Sequence, residues 1–295
     1  MALRIGPGPV LRERTTLRLG GRTLAEITAD APEDLAGLAG ALAKTGGTPL
    51  VLGAGSNILA RDGELPLTVV NMAFADGPET VPGAPRGKVR VRAGAGLKLG
   101  RLLAWCEKRG LWGLHGLAGI PGLVGGAVAM NAGSYGCETA AVLAGALIWT
   151  PEKGLFRIGP GEFTAGYRTF SPAGAAGLFL VAEAVFELTE RGPEAVRAAA
   201  LEALCRKKAS QPLTAASAGC VFKNPEGKSA GRLLDEAGFR GKRLGDMAFS
   251  EMHANFLVNL GEGNSEDALA LIGRAQEAVR ERYGISLELE ARVTP

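Results

Sequence analysis

Two stretches of this sequence are built to expose main chain rather than side chain. Residues 110–137 read GLWGLHGLAGIPGLVGGAVAMNAGSYGC, with nine glycines and no Asp, Glu, Lys or Arg. Residues 52–59 read LGAGSNIL and follow the short apolar run PLV. Glycine admits a positive φ and lets another group approach the backbone closely, and successive amide N–H groups can form a nest for an anion. The chemistry such loops offer is the cradling of a phosphorylated ligand. Neither loop is a dinucleotide fingerprint of the Rossmann form, because GAGSNI lacks the third glycine, and no Lys-Ser/Thr pair follows as in a P-loop. Taken alone, LGAGSNIL is equally a strand-to-turn connection with a polar cap. No metal is expected: there are two histidines, His115 and His253, and Cys106, Cys137, Cys205 and Cys220 are scattered without a CxxC pair. That cysteine usage fits a reducing cytoplasm.

A membrane span needs about 20 apolar residues that stay helical. Each interior glycine costs a helix roughly 0.8–1.0 kcal/mol relative to alanine, so nine of them and Pro121 argue against a span in residues 110–137. The glycine at every third position stops after six and has one proline beside it, which is no collagen repeat. The N-terminus carries charges where an export signal needs an apolar core. The net charge of +3 has no dense Lys/Arg run behind it, so nucleic acid is not an expected partner and an anionic small molecule is.

The elements that must position these loops read as alternating helix and strand. Leu35, Leu38, Ala39 and Leu42 form a helical stripe over residues 32–44. Strands are expected at PLVLG, at 67–71, and at 88–94, where Val alternates with basic residues as in an edge or half-exposed strand. A helix is expected over 97–109, and ALIWT and LFLVAEAVFEL read as strands on either side of a turn-rich region holding GYRTFSP. Gly192-Pro193 marks a boundary before a long helix to about Ser210. Helices over 229–237 and 265–283 flank the strand NFLVNL. The last strand, ISLELEARV, puts Ile285, Leu287, Leu289 and Ala291 on one face and Glu288, Glu290 and Arg292 on the other.

GAGSNIL at 53–59, GIPGLVGGAVAMNAGSYG at 119–136, YRTF at 167–170, AGCVFKNP at 218–225, HANFLVN at 253–259 and LELEARV at 287–293 occur in an order that resembles the UDP-N-acetylenolpyruvoylglucosamine reductase family of peptidoglycan synthesis. The likeness covers nearly the whole chain. It implies an α+β protein: an FAD-binding domain of the vanillyl-alcohol-oxidase (PCMH) type over residues 1–190, in subdomains of about 1–72 and 73–190, and a C-terminal α+β substrate-binding domain over 194–295. It further implies non-covalent FAD, NADPH as reductant and UDP-N-acetylglucosamine enolpyruvate as substrate; apart from the resemblance, a monomer with no membrane partner is expected, in the cytoplasm that the cysteine usage suggests. The short interval between Arg168 and Cys220 is similar to the smaller family subtype, which lacks an inserted loop carrying a substrate-binding Tyr. Two other readings stay open here: an FAD-dependent hydroxy-acid or sugar oxidase or dehydrogenase, which would have a different C-terminal domain, and a flavin-binding protein without turnover.

The resemblance assigns roles. FAD would be held by Gly53, Ala54, Gly55, Ser56, Asn57 and Ile58 on one side, and by Gly119, Ile120, Pro121, Gly122, Gly125, Gly126, Asn131, Ala132 and Gly133 on the other. Arg168 would grip the enolpyruvyl carboxylate through two parallel bonds; its bland reading is a surface Arg in a turn. Cys220, where the family commonly has Ser, would donate a proton, since a thiol is a far stronger acid than an aliphatic hydroxyl; its bland reading is a small buried hydrophobe. Glu290 would assist at the reacting carbons, or else be one charge on a solvated strand face. Lys223, Asn224, Asn255 and Arg292 match substrate-binding positions. His115 stands where the family often has Glu, and Ser210 where a Lys is common, so that Lys207 or Lys208 would compensate.

Overall fold

The computed structural model describes residues 3–295. The chain forms two compact units that are discontinuous in sequence. The first holds the described residues up to Gly6, then Glu26–Gly53 and Thr68–Arg206; the second holds Pro7–Ala25, Ala54–Leu67 and Lys207–Pro295. Against the expected boundary near residues 190–194, the units part at Arg206–Lys207, inside the helix Pro193–Ser210.

In the first unit a six-stranded antiparallel sheet runs in the order Gly154–Ile158, Leu143–Thr150, Leu180–Glu190, Lys88–Gly94, Glu79–Val81, with Leu111–Trp112 also pairing with Leu180–Glu190. Lys88–Gly94 alternates as expected but is not an edge, because Glu79–Val81 pairs on its open side. The basic residues that the alternation turns outward find carboxylates on neighbouring strands: Lys88 and Arg90 on Glu187, and Arg92 on Glu183 and Glu79. Beneath them Val91, Ala93, Ile148, Ala184 and Phe186 pack against Leu102, Val124 and Val128 of helices α2 (Leu99–Lys108) and α3 (Val124–Ala129). The expected helix at 32–44 begins as a 3-10 turn, Pro32–Gly37, before the α-helix Leu38–Thr45. The glycine-rich run is no span: it breaks into the strand Leu111–Trp112, a 3-10 turn at His115–Leu117, α3 and the short strand Gly133–Ser134. Among the described residues no helix is long and apolar enough to cross a membrane.

In the second unit an antiparallel sheet runs Ala216–Cys220, Phe256–Asn259, Met247–Phe249, Arg243–Leu244. Leu233 and Leu234 of the helix Ala230–Glu236, and Leu271, Ile272 and Val279 of the helix Ser265–Tyr283, close its apolar face, together with Leu17, Leu19 and Leu59. The terminal segment departs from expectation. Only an isolated bridge at Leu289 and the two-residue strand Arg292–Val293 form, because the segment changes partners midway. Its first half lies antiparallel to Phe222, and its second half runs parallel to Ile58–Leu59.

Candidate active site

Each unit carries its own share of the predicted residues. In the first unit the end of the strand Thr48–Val51 brings Gly53 to the glycine-rich loop, where a Cβ on Gly53 would meet the Leu123 side chain at 3.7 Å. That loop is pinned from behind: Val124 N donates to Leu97 O, Gly125 N to Ala95 O, and Leu123 bridges Lys98. Gly125 is buried, and a Cβ there would press on Ala95 Cβ at 2.9 Å, so it is a packing glycine. Gly119, Pro121 and Gly126 are exposed, Ile120 and Gly122 half-buried, and a Cβ on Gly126 would meet nothing. An open surface of bare main chain thus faces outward between Gly53 and Gly126, as a cofactor cradle requires.

The same unit builds the surroundings of Arg168. Strands Phe163–Gly166 and Thr169–Pro172 pair with Gly166 opposite Thr169, leaving Tyr167 and Arg168 as a two-residue turn. Arg168 has φ +58°, a left-handed conformation that costs a non-glycine residue roughly 1–2 kcal/mol. Strain of this kind collects where a side chain must point one way. Arg168 Nη1 donates to Gly133 O at 3.2 Å, and its guanidinium carbon lies 4.9 Å from the Tyr167 ring. Asn131, also at positive φ, answers from the other side: Nδ2 donates to Gly166 O and Glu138 Oε2, and Oδ1 accepts from Ala140 N. Asn131 therefore ties the cradle to the Arg168 turn. Ala132 O is held in turn by Thr139 N and Oγ1.

His115 occupies a separate niche of this unit. Its ring lies 3.6 Å from that of Trp112 and its Nε2 3.6 Å from Cys137 Sγ, which also accepts from Gly116 N. Burial holds the imidazole below its usual range, so it is neutral near pH 7. Burial likewise pushes the Cys106 thiol up to about 12 and leaves it inert.

In the second unit the hub is the backbone of residues 221–223. Val221 N donates to Asn255 O, and Lys223 N to Glu288 O. Asn255, 2% exposed, uses its amide on Phe222: Oδ1 accepts from Phe222 N at 2.9 Å and Nδ2 donates to Phe222 O at 2.8 Å. Val221 O accepts from both Glu290 N and Ala291 N, the two-on-one pairing of a bulge that re-aims the chain at Glu290. Asn57 then grips the far side, with Nδ2 donating to Glu290 O at 3.2 Å and Asn57 O accepting from Arg292 N. Cys220, half-buried, pairs with Phe256 beyond an irregularity, where Gly219 takes φ +78°.

The fold thus brings Cys220 and Glu290 to one hub, with Lys223 Nζ bonded to Glu288 at 3.3 Å and Arg292 exposed alongside. Asn224 is exposed, and its Oδ1 accepts from Ala230 N at the start of a helix. In the phosphate-loop candidate, Gly55 is buried because a side chain there would overlap the Arg14 carbonyl, Ile58 is buried in the parallel pair, and Ala54 is exposed. Ser56 and Asn57 are half-buried. Lys207 is 2% exposed, whereas Lys208 reaches the surface. Sequence reasoning missed the segment before Ala25, whose Thr16 donates to Ser217 O at 2.6 Å and whose Leu17 and Leu19 enter the second core. The alternation of Leu17 and Leu19 was its one visible signal.

Comparison with known proteins adds to this geometry. Residues 211–294 match the family model of the UDP-N-acetylenolpyruvoylglucosamine reductase C-terminal domain, and residues 24–159 an FAD binding domain. The chain is 52% identical to UDP-N-acetylenolpyruvoylglucosamine reductase of Nitratidesulfovibrio vulgaris, over 99% of this chain and 98% of that one. It is 50% identical to that of Oleidesulfovibrio alaskensis, over 98% and 97%. Among solved structures, UDP-N-acetylenolpyruvylglucosamine reductase from Thermus caldophilus superposes with a TM-score of 0.82 at 36% identity, covering 99% of this chain and 100% of that one.

Proposed function

The chain belongs to the UDP-N-acetylenolpyruvoylglucosamine reductase family, and we propose from that premise how its own residues divide the work. It is an FAD-containing oxidoreductase that reduces UDP-N-acetylglucosamine enolpyruvate with NADPH as reductant, in peptidoglycan precursor synthesis. The match over residues 211–294 sets aside the oxidase and the flavin-binding scaffold. FAD, when bound, supplies hydride transfer from NADPH to the vinyl carbon of the enolpyruvyl group. The bare main chain at Gly53, Gly119 and Gly126 and the loop at Asn131–Gly133 would hold it, and the open space over Gly126 fits a cofactor lying on backbone.

Hydride addition to the vinyl carbon leaves negative charge on the neighbouring carbon and its carboxylate. Arg168 holds that carboxylate, its direction set by the strained turn and by Gly133 O. Cys220 Sγ delivers the proton to the carbon bearing the charge. Glu290 assists there; a carboxylate beside an enolate repels it unless protonated or hydrogen-bonded, so its placement by Val221 and Asn57 matters to the step. Lys223 and Arg292 supply positive charge to the substrate. Asn255 serves by position: its amide braces Phe222, the second residue after Cys220. The observation that carries these assignments is the single hub that anchors both Cys220 and Glu290. The protein is taken as cytoplasmic, a reading that its four free cysteines support, and as a monomer.

The test is anaerobic. The purified protein is reduced with NADPH, UDP-N-acetylglucosamine enolpyruvate is added, and the visible flavin band is followed. The unaltered protein is expected to bleach and then recover. Cys220→Ala should bleach as fast and recover about 10²–10⁴-fold more slowly, the range for loss of a general acid. An unchanged recovery rate would remove Cys220 from the mechanism; bleaching without recovery in the unaltered protein would reject the acceptor.

A further inference from the structure

We propose that Thr16 is a positioning residue for the proton transfer: its hydroxyl fixes the strand that carries Cys220, and its backbone fixes the loop at residues 54–57 expected to hold FAD. The proposal rests on the role given to Cys220 above and names what holds that residue in place. All of these groups lie in the second unit.

The strand Ala216–Cys220 is the edge of its sheet, with Phe256–Asn259 as its neighbour. An edge strand turns main-chain groups to an open side, and Thr16 takes one of them: its Oγ1 donates to Ser217 O at 2.6 Å. The place matters because the register shifts just beyond it, from Ser217 opposite Val258 to Cys220 opposite Phe256. Ala218 and Gly219 there share the single partner Leu257, and Gly219 takes φ +78°. A bulge of this kind re-aims a side chain. Its downstream end is held where Val221 N donates to Asn255 O, and its upstream end is held by Thr16. Cys220 lies between the two pins.

Thr16 is tied at its main chain as well. Its N donates to Gly55 O at 3.2 Å, and a side chain on Gly55, at φ +63°, would overlap the Arg14 carbonyl. Thr15 Oγ1 donates to Leu19 O at 2.9 Å and steadies the turn that presents Thr16. The Thr16 hydroxyl also lies 3.4 Å from Gly55 O, so Ser217 O, much the nearer acceptor, takes its proton. A ligand that orders residues 54–57 thereby steadies the upstream pin of Cys220.

The experiment follows the two half-reactions separately in the FAD-loaded protein: bleaching by NADPH, then recovery with UDP-N-acetylglucosamine enolpyruvate. Thr16→Val, or Thr16→Ala should the valine form not fold, keeps the backbone N–H and removes the hydroxyl. It should bleach at the unaltered rate and recover about 10–100-fold more slowly, the scale of a misplacement near 1 Å. Thr16→Ser, which restores the donor, should recover within about threefold of the unaltered protein. Thr16→Val combined with Cys220→Ala should recover no more slowly than Cys220→Ala alone, because residues acting on one step are not additive. In the apoprotein, Thr16→Val should speed alkylation of Cys220 by iodoacetamide about threefold or more, read at the peptide, and leave that of the exposed Cys205 unchanged. Unchanged recovery or unchanged alkylation of Cys220 would overturn the proposal, as would a serine variant that rescues nothing. Bleaching slowed as much as recovery, or loss of FAD, would also overturn it, since the hydroxyl would then hold the fold or the cofactor. A double variant slower by the product of the single effects would place the action of Thr16 elsewhere than on Cys220. Unimpaired recovery in Cys220→Ala would remove the proton donor assigned above; unimpaired Thr16→Val beside an impaired Cys220→Ala would overturn this proposal alone.

Discussion

Asn255 separates binding from bracing at the scale of one residue. Its motif suggested a substrate ligand, but its amide is spent on both polar groups of the Phe222 backbone, in a residue that is itself fully buried. Asn255→Ala leaves a buried N–H and C=O without those partners, at about 1–3 kcal/mol for each group. The expected result is an unfolding free energy, measured in urea, lower by at least about 2 kcal/mol, with slower flavin reoxidation as a secondary effect. A raised KM at unchanged stability would instead return Asn255 to the substrate. Arg168 shows the complementary case: its type was legible in YRTF, whereas the strained φ that aims it was not. Turn residues are called from glycine and asparagine, and an Arg in the left-handed region contradicts that rule for the sake of its side chain.

Helix ends were the most legible elements. The helix Ser265–Tyr283 opens on Asn264, whose Oδ1 accepts from Asp267 N at 2.8 Å, and closes on Gly284 at φ +66°, a pairing of polar N-cap and left-handed glycine that sequence displays directly. Asn264→Ala is expected to cost about 0.5–2 kcal/mol; differential scanning of the two proteins would show it, and an unchanged Tm would mean that packing of the helix face alone holds its start. The terminal strand was less legible for a physical reason. Alternation in ISLELEARV is genuine, with Leu287 and Ala291 buried and Glu288 and Arg292 exposed, but alternation reports which face is apolar and not how many partners the strand has. Here two partners share it, and the bulge at Glu290 lies at the exchange. The same limit applies to Lys88–Gly94, whose half-polar pattern comes from ion pairs within a sheet rather than from an edge.

For the whole molecule, the chain leaves the first unit and returns to it twice before Lys207, so the first unit is complete only at Arg206 and the second only at the last residues. A cofactor whose expected contacts at Gly53, Gly126 and Asn131 are brought together only when the first unit folds binds folded protein and not the unfolded chain. Free FAD at about 1,000 times its dissociation constant is therefore expected to stabilise the fold by about 4 kcal/mol through mass action. Thermal unfolding of the apoprotein with and without FAD would measure it, and an unshifted Tm at saturating FAD would count against the cradle.

By itself the sequence determined the family, the order of the motifs, the positions of the helices and the list of residue types able to do the chemistry, because each of these is written in local spacing. Only tertiary structure decided what the glycines are for: Gly126 is bare toward open space, whereas Gly55 and Gly125 are bare because another part of their own unit presses on them. It also decided that Asn57 and Asn255 act on backbone, and that Arg206 meets Tyr135 seventy-one positions away. Contacts between residues far apart in the chain leave no periodic trace in it. They arise where packing brings a donor to an acceptor, and a single sequence does not record that encounter.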